Sequence, residues 1–218
     1  MLAIVRVSPK MPQSGKPPFF DSKFEMVKAC NESLLQAGEC NRIYMLDRCP
    51  NEYHEYFHQY GNVFDGSWGK KESLWEAYRV AMTNNDNILF LEDDYLWRPD
   101  TLGSLESAIN HFGMVSPYDH PDHYLKDEKS LIEAYEQDGL TYRFCQTNTH
   151  TFAVRHEIFS THIDAFYYGL HDWQMFMKLY FEGVRLYAPM YSFATHLVEG
   201  KLAPNVDWSS LAEKYRNA

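Results

Sequence analysis

Three consecutive carboxylates, Glu92, Asp93 and Asp94, directly follow the apolar run Ile88-Leu89-Phe90-Leu91. Such a run is typical of a strand buried on both faces of a mostly parallel sheet. Acids clustered at the carboxyl end of a buried strand repel one another unless a cation lies among them. Oxygen ligands of this kind suit Mg²⁺ or Mn²⁺, so the stretch predicts a divalent-cation site. The alternative is an acidic turn after a core strand.

Two more residues have side chains suited to the same chemistry. His196 follows another predicted strand, where it can either complete a metal site or lie as an ordinary buried or surface histidine. Asp172 precedes Trp173 at the start of a predicted helix, and an aspartate there is usually a helix cap. At the mouth of a cleft, the same carboxylate would be placed to act as a general base.

A third group, Asp119-His120-Pro121-Asp122-His123, contains residue types that bind metals. It permits a dinuclear hydrolase site as an alternative function. The proline fixes a turn, however, and H-x-x-H spacing in a loop is often simply solvated.

The elements that position these residues alternate along the first half of the chain. Strands are predicted at 2–7, 42–46, 62–65 and 88–91, with helices at 22–37 and 72–82. This β-α-β-α-β order predicts an α/β fold, a single Rossmann-like domain with a mostly parallel central sheet flanked by helices. No G-x-G-x-x-G motif is present, which argues against an ordinary dinucleotide-binding fold.

The second half is less regular. We predict a helix over 101–112, a strand over 113–117, a polar helical segment ending at Gly139, an extended stretch over 142–154, an amphipathic helix from 172 to 182 and a strand over 184–187. Residues 10–21 carry three prolines and a glycine, which predicts a loop. The domain of residues 1–218 is thus expected to have a nucleotide-sugar-binding half, 1–112, and an acceptor-binding and catalytic half, 113–218.

Composition restricts the class of partner. The 218 residues carry a formal net charge of −10, which argues against nucleic acid as a partner. The four cysteines have no zinc or redox spacing, and no apolar run reaches the length of a membrane span. The apolar segment of residues 1–7 is too short, and carries a charge too early, to be a signal peptide. We therefore expect a soluble, cytoplasmic protein.

Motif order adds a resemblance to a known family. The chain resembles GT-A glycosyltransferases with a DxD-type motif, and in particular the inverting N-acetylglucosaminyltransferase family. The matching segments are Leu91-Glu92-Asp93-Asp94, Arg98-Pro99-Asp100, Val115-Ser116, Tyr142-Arg143-Phe144 and Asp172-Trp173, with His196 where a metal-binding histidine is often found. The resemblance covers most of residues 2 to 197, and its evidence is the order and spacing of the motifs together.

The resemblance implies how the carboxylate site would be used. Asp94 would be the main ligand of Mn²⁺ or Mg²⁺, and His196 would complete the metal site. Glu92 and Asp93 would bind ribose or metal-bound water. The donor would be a UDP- or GDP-sugar.

The resemblance also implies contacts around that centre. Asp47 would meet the nucleobase edge and Ser8 the ribose or base, while Lys70 or Lys71 would reach the nucleotide's phosphates. Asp172 would be the catalytic base that activates a hydroxyl of a glycan or other acceptor. His171 stands where an acid commonly precedes that base.

The expected function is therefore metal-dependent, inverting sugar transfer from a nucleoside-diphosphate sugar. Three alternatives stay open at this point: a retaining transferase on the same fold, a metal-dependent hydrolase, and a nucleotide-sugar-binding module without catalysis.

Overall fold

The computed structural model describes residues 1–11, 18–125, 133–169 and 171–216. Its strands are β1 (Leu2–Val7), β2 (Asn41–Asp47), β3 (Asn62–Gly66), β4 (Ile88–Glu92), β5 (Tyr95–Trp97), β6 (Met114–Val115), β7 (Ala134–Gln137), β8 (Leu140–Cys145), β9 (Phe152–Val154), β10 (Leu186–Pro189) and β11 (Ala194–His196). Its helices are α1 (Lys23–Ala37), α2 (Asn51–Phe57), α3 (Lys70–Ala81), α4 (Leu102–Phe112), α5 (Asp122–Leu125), α6 (His156–Thr161), α7 (Ile163–Phe166), α8 (Asp172–Phe181) and α9 (Trp208–Arg216).

The larger sheet has the strand order β3-β2-β1-β4-β9-β6-β10-β8-β7. β1, β2, β3 and β4 are parallel, and β9 then pairs antiparallel with β4. Helices cover both faces, and the predicted α/β, Rossmann-like fold class is confirmed. The carboxyl ends of β1, β2 and β4 therefore meet at one edge, where ligands bind in open α/β sheets.

Strand alternation separates the two faces of this sheet. In β1, Leu2 and Ile4 pack with α3 and α8, whereas Val5 and Val7 pack with α1 and α4. The same alternation in β4 sends Phe90 to the α3 side and Leu91 to the α1 side. By this period of two, Arg6 and Glu92 belong to the α3 face of the sheet.

Helix α1 begins where the sequence predicts. The Ser22 hydroxyl accepts a hydrogen bond from the Glu25 backbone N–H at 3.1 Å and caps the helix, which ends before Gly38. The loop predicted before it, residues 10–21, falls partly outside the described residues, because 12–17 are not described.

A small second sheet joins the acidic turn to the far end of the chain. β5 begins directly after Asp94 and pairs antiparallel with β11, so that His196 lies opposite Tyr95. The Leu197 backbone N–H also donates to the Asp94 carbonyl oxygen at 2.8 Å. This pairing carries His196 to the acidic turn across a separation of 102 residues.

The predicted polar helix ending at Gly139 is wrong for the part that is described. Residues 134–145 form the β7–β8 hairpin, and residues 126–132 lie outside the described residues. Asp138 and Gly139 form its turn with φ angles of 53° and 74°. An Asp-Gly pair favours such a turn because both central residues need positive φ, and this signal outweighs the polar composition. The strand predicted at 184–187 lies two residues later, as β10.

No helix in the described part of the chain combines the length and apolar character needed to cross a bilayer.

Candidate functional site

The acidic turn does not place its three carboxylates around one shared point. Glu92 pairs with Arg6 (Oε1 to Nη2, 2.9 Å) and Asp93 pairs with Lys23 (Oδ1 to Nζ, 2.6 Å). Adjacent strand residues point to opposite faces, so each of these acids meets a cation on its own side. The repulsion expected from the sequence is thus relieved for Glu92 and Asp93 by the protein's own cations.

Asp93 is held on both of its oxygens. Its second oxygen accepts a hydrogen bond from the Ser8 backbone N–H at 2.7 Å. Burial raises the pKa of the Asp93 carboxyl against the opposing effect of Lys23. Burial disfavours the charged amine of Lys23, yet Asp93 and Asp94 outweigh it and raise the pKa of Lys23. The pair is a buried salt bridge that ties β4 to α1 and to the end of β1.

Asp94 is the carboxylate of the turn with an uncommitted oxygen. Its Oδ2 lies 3.1 Å from the His196 Nε2, whereas its Oδ1 is buried and makes no hydrogen bond with any described residue. Burial opposes ionisation, but His196 outweighs it and lowers the pKa of the Asp94 carboxyl. The His196 ring stacks on Tyr95 at 5.0 Å between centroids with an interplanar angle of 6°, which fixes its orientation. Asp94 and His196 therefore present one oxygen and one nitrogen donor side by side.

Asp47 has a second uncommitted carboxylate oxygen at the same edge. Its Oδ2 accepts a hydrogen bond from the Gly69 backbone N–H at 2.9 Å, and its buried Oδ1 has no hydrogen-bond partner among the described residues. Gly69 has a φ of 106°, a conformation that disfavours larger residues, and it immediately precedes α3. Asp47 thus fixes the entrance to α3, and its Oδ1 lies 3.9 Å from Arg48 Nε without a hydrogen bond.

Lys70 and Lys71 lie on the other face of the sheet, beside a cavity of about 200 Å³ that Arg6, His150 and His171 also line. Lys71 Nζ lies 4.1 Å from the centroid of the Trp75 ring. We call this space the basic cavity.

Asp172 begins α8 beside the same cavity. Its Oδ1 accepts a hydrogen bond from the neighbouring Trp173 N–H at 2.8 Å, and its charge raises the pKa of His150. Burial outweighs this influence and lowers the pKa of His150 overall.

The structure therefore divides the residues predicted from sequence into two groups. Ser8, Asp93, Asp94 and His196 lie together, whereas Lys70 and Lys71 line the basic cavity and Asp172 directly follows the lining residue His171.

Segment 149–151 connects the two groups. Thr149 Oγ1 hydrogen-bonds the Tyr95 hydroxyl, and Thr151 Oγ1 accepts from the Glu92 backbone N–H at 3.1 Å. His150, between them, lines the basic cavity. Sequence reasoning missed this segment because nothing in it forms a motif.

Arg6 and Lys23 were also missed. Arg6 was open to detection, since a charged residue inside the strand Leu-Ala-Ile-Val-Arg-Val needs a partner. Lys23 gave no such signal, because a lysine in a predicted helix is usually exposed to solvent.

The cluster around Asp119 is already satisfied by protein groups. The fully buried Asp119 contacts His123 Nδ1 at 2.7 Å, the Tyr124 hydroxyl at 2.6 Å and Arg143 Nε at 3.1 Å. Among the described residues, Asp119, His123 and Cys145 are the group of three potential ligands close enough to share a metal ion. Arg143 already neutralises the carboxylate, and burial raises the pKa of the Cys145 thiol, which disfavours the thiolate needed for a ligand. The cluster holds β8 against the loop before α5, and it does not support a dinuclear hydrolase.

No protein-family model matches the chain, and no curated protein matches it. Solved structures with the same fold include a nucleotidyl transferase from Methanothermobacter thermautotrophicus, at 14% identity and a TM-score of 0.53, covering 86% of each chain. A CMP:2-keto-3-deoxy-manno-octonic acid synthetase complexed with CTP is similar at 12% identity and a TM-score of 0.54, covering 99% of this chain and 96% of that one. The inositol-1-phosphate CTP transferase from T. maritima is similar at 16% identity and a TM-score of 0.55, covering 100% and 96%.

These likenesses establish the fold and correct the function expected from sequence. The three structures are nucleotidyl and CTP transferases, so the predicted sugar transfer from a nucleoside-diphosphate sugar, whether inverting or retaining, is contradicted. The resemblance to N-acetylglucosaminyltransferases has no support beyond the shared category of transferases that use nucleotides. The motif order misled because a strand followed by carboxylates reflects the common edge of these sheets, where different reactions use the same positions.

Proposed function

We propose that the protein is a nucleotidyl transferase, which moves a nucleoside monophosphate from a nucleoside triphosphate to an acceptor and releases pyrophosphate. One observation carries the proposal: the buried, uncommitted Oδ1 of Asp94 beside His196, at the carboxyl edge of β4. A fold shared with nucleotidyl and CTP transferases supports a nucleotide as the ligand at this edge.

The donor set at this edge fits a divalent cation. A buried carboxylate oxygen without a hydrogen-bond partner is costly unless something positive meets it. Carboxylate oxygen suits Mg²⁺ or Mn²⁺, and the imidazole nitrogen favours Mn²⁺ of the two. Asp94 and His196 would hold the ion. When bound, it would neutralise negative charge on the nucleotide's phosphates. Asp93 is excluded as a direct ligand, because Lys23 and the Ser8 N–H occupy its two oxygens.

Other residues at the same edge would bind the nucleoside. The Oδ1 of Asp47, which lies 3.9 Å from Arg48 Nε and makes no hydrogen bond with a described residue, can accept one from an exocyclic amino group, such as the N4 amine of cytosine. Ser8 would lie near the ribose, where its backbone N–H already fixes Asp93. The Lys23–Asp93 pair holds the ends of β1 and β4 and the start of α1 in one rigid arrangement.

The transfer step needs an acceptor oxygen in line with the bond that breaks. That oxygen attacks the α-phosphorus, a new P–O bond forms, and the bond from the α-phosphorus to the oxygen bridging to the β-phosphate breaks. The electron pair leaves with pyrophosphate. An ionised acceptor oxygen needs no proton acceptor, so this step would not require Asp172 as a general base.

Thermal stability in the presence of nucleotides tests the donor class. We expect CTP or another nucleoside triphosphate with Mg²⁺ or Mn²⁺ to raise Tm, because ligand at about 100 times Kd adds ~2.7 kcal/mol to stability. For a chain of this size that corresponds to roughly 5–10 °C. Excess EDTA should remove most of the shift, and pyrophosphate release should accompany turnover once an acceptor is supplied.

UDP- and GDP-sugars serve as the comparison ligands in the same experiment. A shift produced by these sugars and absent with every triphosphate would contradict the proposal. An unchanged shift in EDTA would contradict the metal site alone.

A further inference from the structure

The basic cavity concentrates positive charge on a strongly acidic protein. Arg6, Lys70, Lys71, His150 and His171 line a space of about 200 Å³, although the chain carries a net charge of −10. Arg6 is paired with Glu92, but neither lysine forms an ion pair within the part of the chain that the structure describes. Lysines that line one cavity repel each other, and an anion bound there would relieve that repulsion.

His150 gives an independent indication that this cavity takes a ligand. The side chain is only 5% exposed and lines the cavity, and no described residue hydrogen-bonds its ring. Its ring nitrogens are not among the fully enclosed polar atoms that lack a partner, so they remain open to the cavity, where a polar group can hydrogen-bond water or a ligand. A ligand oxygen in the cavity would supply the missing partner.

Helix α3 adds a favourable field from its amino terminus. Lys70 is the first residue of this 12-residue helix, and Gly69 before it provides no side-chain cap. The first backbone N–H groups of a helix lack intrahelical partners and favour anions. An anion in the basic cavity is therefore favoured by the lysines, the buried histidine and the helix terminus alike.

The position of the cavity relative to the metal edge indicates which anion it holds. Arg6 and Glu92 face α3, whereas Asp93 and Lys23 lie on the α1 side of the same strand ends. Segment 149–151 links the two spaces through Tyr95 and Glu92. A molecule in the cavity would thus lie on the α3 side of the strand ends at which the nucleotide is proposed to bind.

We propose that the basic cavity binds the phosphate group of the acceptor, a small phosphate monoester. The assignment to an acceptor rests on the proposed nucleotidyl transfer, whereas the anion site itself rests on the residues that line the cavity. A phosphate oxygen is already ionised near neutral pH, since its second pKa is ~6, so it can attack the α-phosphorus without a general base. The apolar wall formed by Trp75, Phe166 and Met175 would contact the organic part of the ester.

Titration calorimetry with inorganic phosphate and with CTP, measured separately, tests the assignment. The variant is the double substitution Lys70→Met and Lys71→Met, which keeps side-chain length and removes both charges. Lys214→Met is the matched control, because Lys214 is also an exposed lysine stacked on an aromatic ring, 4.9 Å from the centroid of Tyr215. We expect the double variant to bind inorganic phosphate at least about tenfold more weakly, as each lost charged contact is worth roughly that factor. The control should bind phosphate as the wild type does, and CTP affinity should stay within about twofold in both.

The outcomes separate the possible sources of the phosphate group. If the double variant loses CTP affinity tenfold instead, the cavity holds the nucleotide's own phosphates and the acceptor assignment is overturned. Unchanged phosphate affinity, or a wild type that binds no phosphate, overturns the site itself. A third outcome is that the wild type binds no CTP while phosphate binding still depends on the lysines. The proposed nucleotidyl transfer and the acceptor assignment would then both be wrong, and only the anion site would remain.

The substitution His150→Phe is a second test, because a structural histidine and a ligand-binding histidine predict opposite results. Replacing an unpaired buried imidazole by an apolar ring should leave Tm unchanged or raise it, while phosphate affinity falls several-fold. A lower Tm with unchanged phosphate affinity would make His150 a core residue and overturn its place in the site.

Discussion

Asp94→Asn is expected to lower the rate of nucleotidyl transfer by at least about 100-fold, with the fold preserved. Asparagine keeps the shape of the side chain but removes the charge that the uncommitted Oδ1 presents to a cation. Even partners that only support a metal ligand change metal affinity or activity by about 10–100-fold, so a direct ligand should exceed that range. Steady-state pyrophosphate release at several Mn²⁺ concentrations measures the effect, and the apparent metal affinity should fall in parallel.

The matched control for this change is Asp86→Asn. Asp86 is exposed in the turn before β4, at the opposite end of the same strand, and has no place in the site. It should retain wild-type activity and metal dependence. If Asp94→Asn keeps the wild-type rate and metal affinity, the acidic turn is a structural feature and the metal assignment is withdrawn.

Lys23→Met is expected to be among the most destabilising single substitutions in the chain. The Lys23 and Asp93 side chains are only 7% and 9% exposed, and the methionine would leave the Asp93 carboxylate buried without its cation. Removing one partner of a buried ion pair costs ~3–5 kcal/mol, because the remaining charge stays desolvated. Chemical denaturation should show this loss as a lower midpoint with an unchanged slope.

A double-mutant cycle distinguishes the pair from its two members. Lys23→Met combined with Asp93→Asn removes both charges, so the double variant should be more stable than Lys23→Met alone. Lys28→Met, an exposed position five residues later in α1, controls for the loss of a lysine from this helix. A double variant no more stable than Lys23→Met would mean that the pair contributes packing, with little electrostatic coupling.

Much of the parallel half of the fold was predictable from local pattern. Continuous apolar runs identified β1, β2 and β4, and a one-sided apolar face with Ser22 before it identified α1. These signals are local, since burial on both faces of a strand and the capping of a helix are written in neighbouring residues. Strand β8 overlaps the extended stretch predicted over 142–154, but its hairpin partner β7 was missed although the Asp138-Gly139 turn was present in the sequence, because a polar strand at a sheet edge has no apolar run.

The site was predictable in its residue types and only partly in its arrangement. Glu92, Asp93 and Asp94 look equivalent in sequence, yet they differ in what they meet: Arg6, Lys23 and His196. Alternation along the strand sends the first two to opposite faces, and the partners come from distant parts of the chain. The choice of Asp94 over its neighbours as a metal ligand therefore depends on contacts that no local pattern contains.

The sequence by itself determined that an α/β sheet would end in carboxylates at one edge, because strand burial and helix capping depend on residues next to one another. Only the tertiary structure decided which carboxylate keeps a free oxygen. It also brought His196 beside Asp94 through β11 and gathered Arg6, Lys70, Lys71, His150 and His171 around one cavity. The physical reason is that charge compensation acts through space: a carboxylate responds to the nearest cation, whatever the number of residues between them.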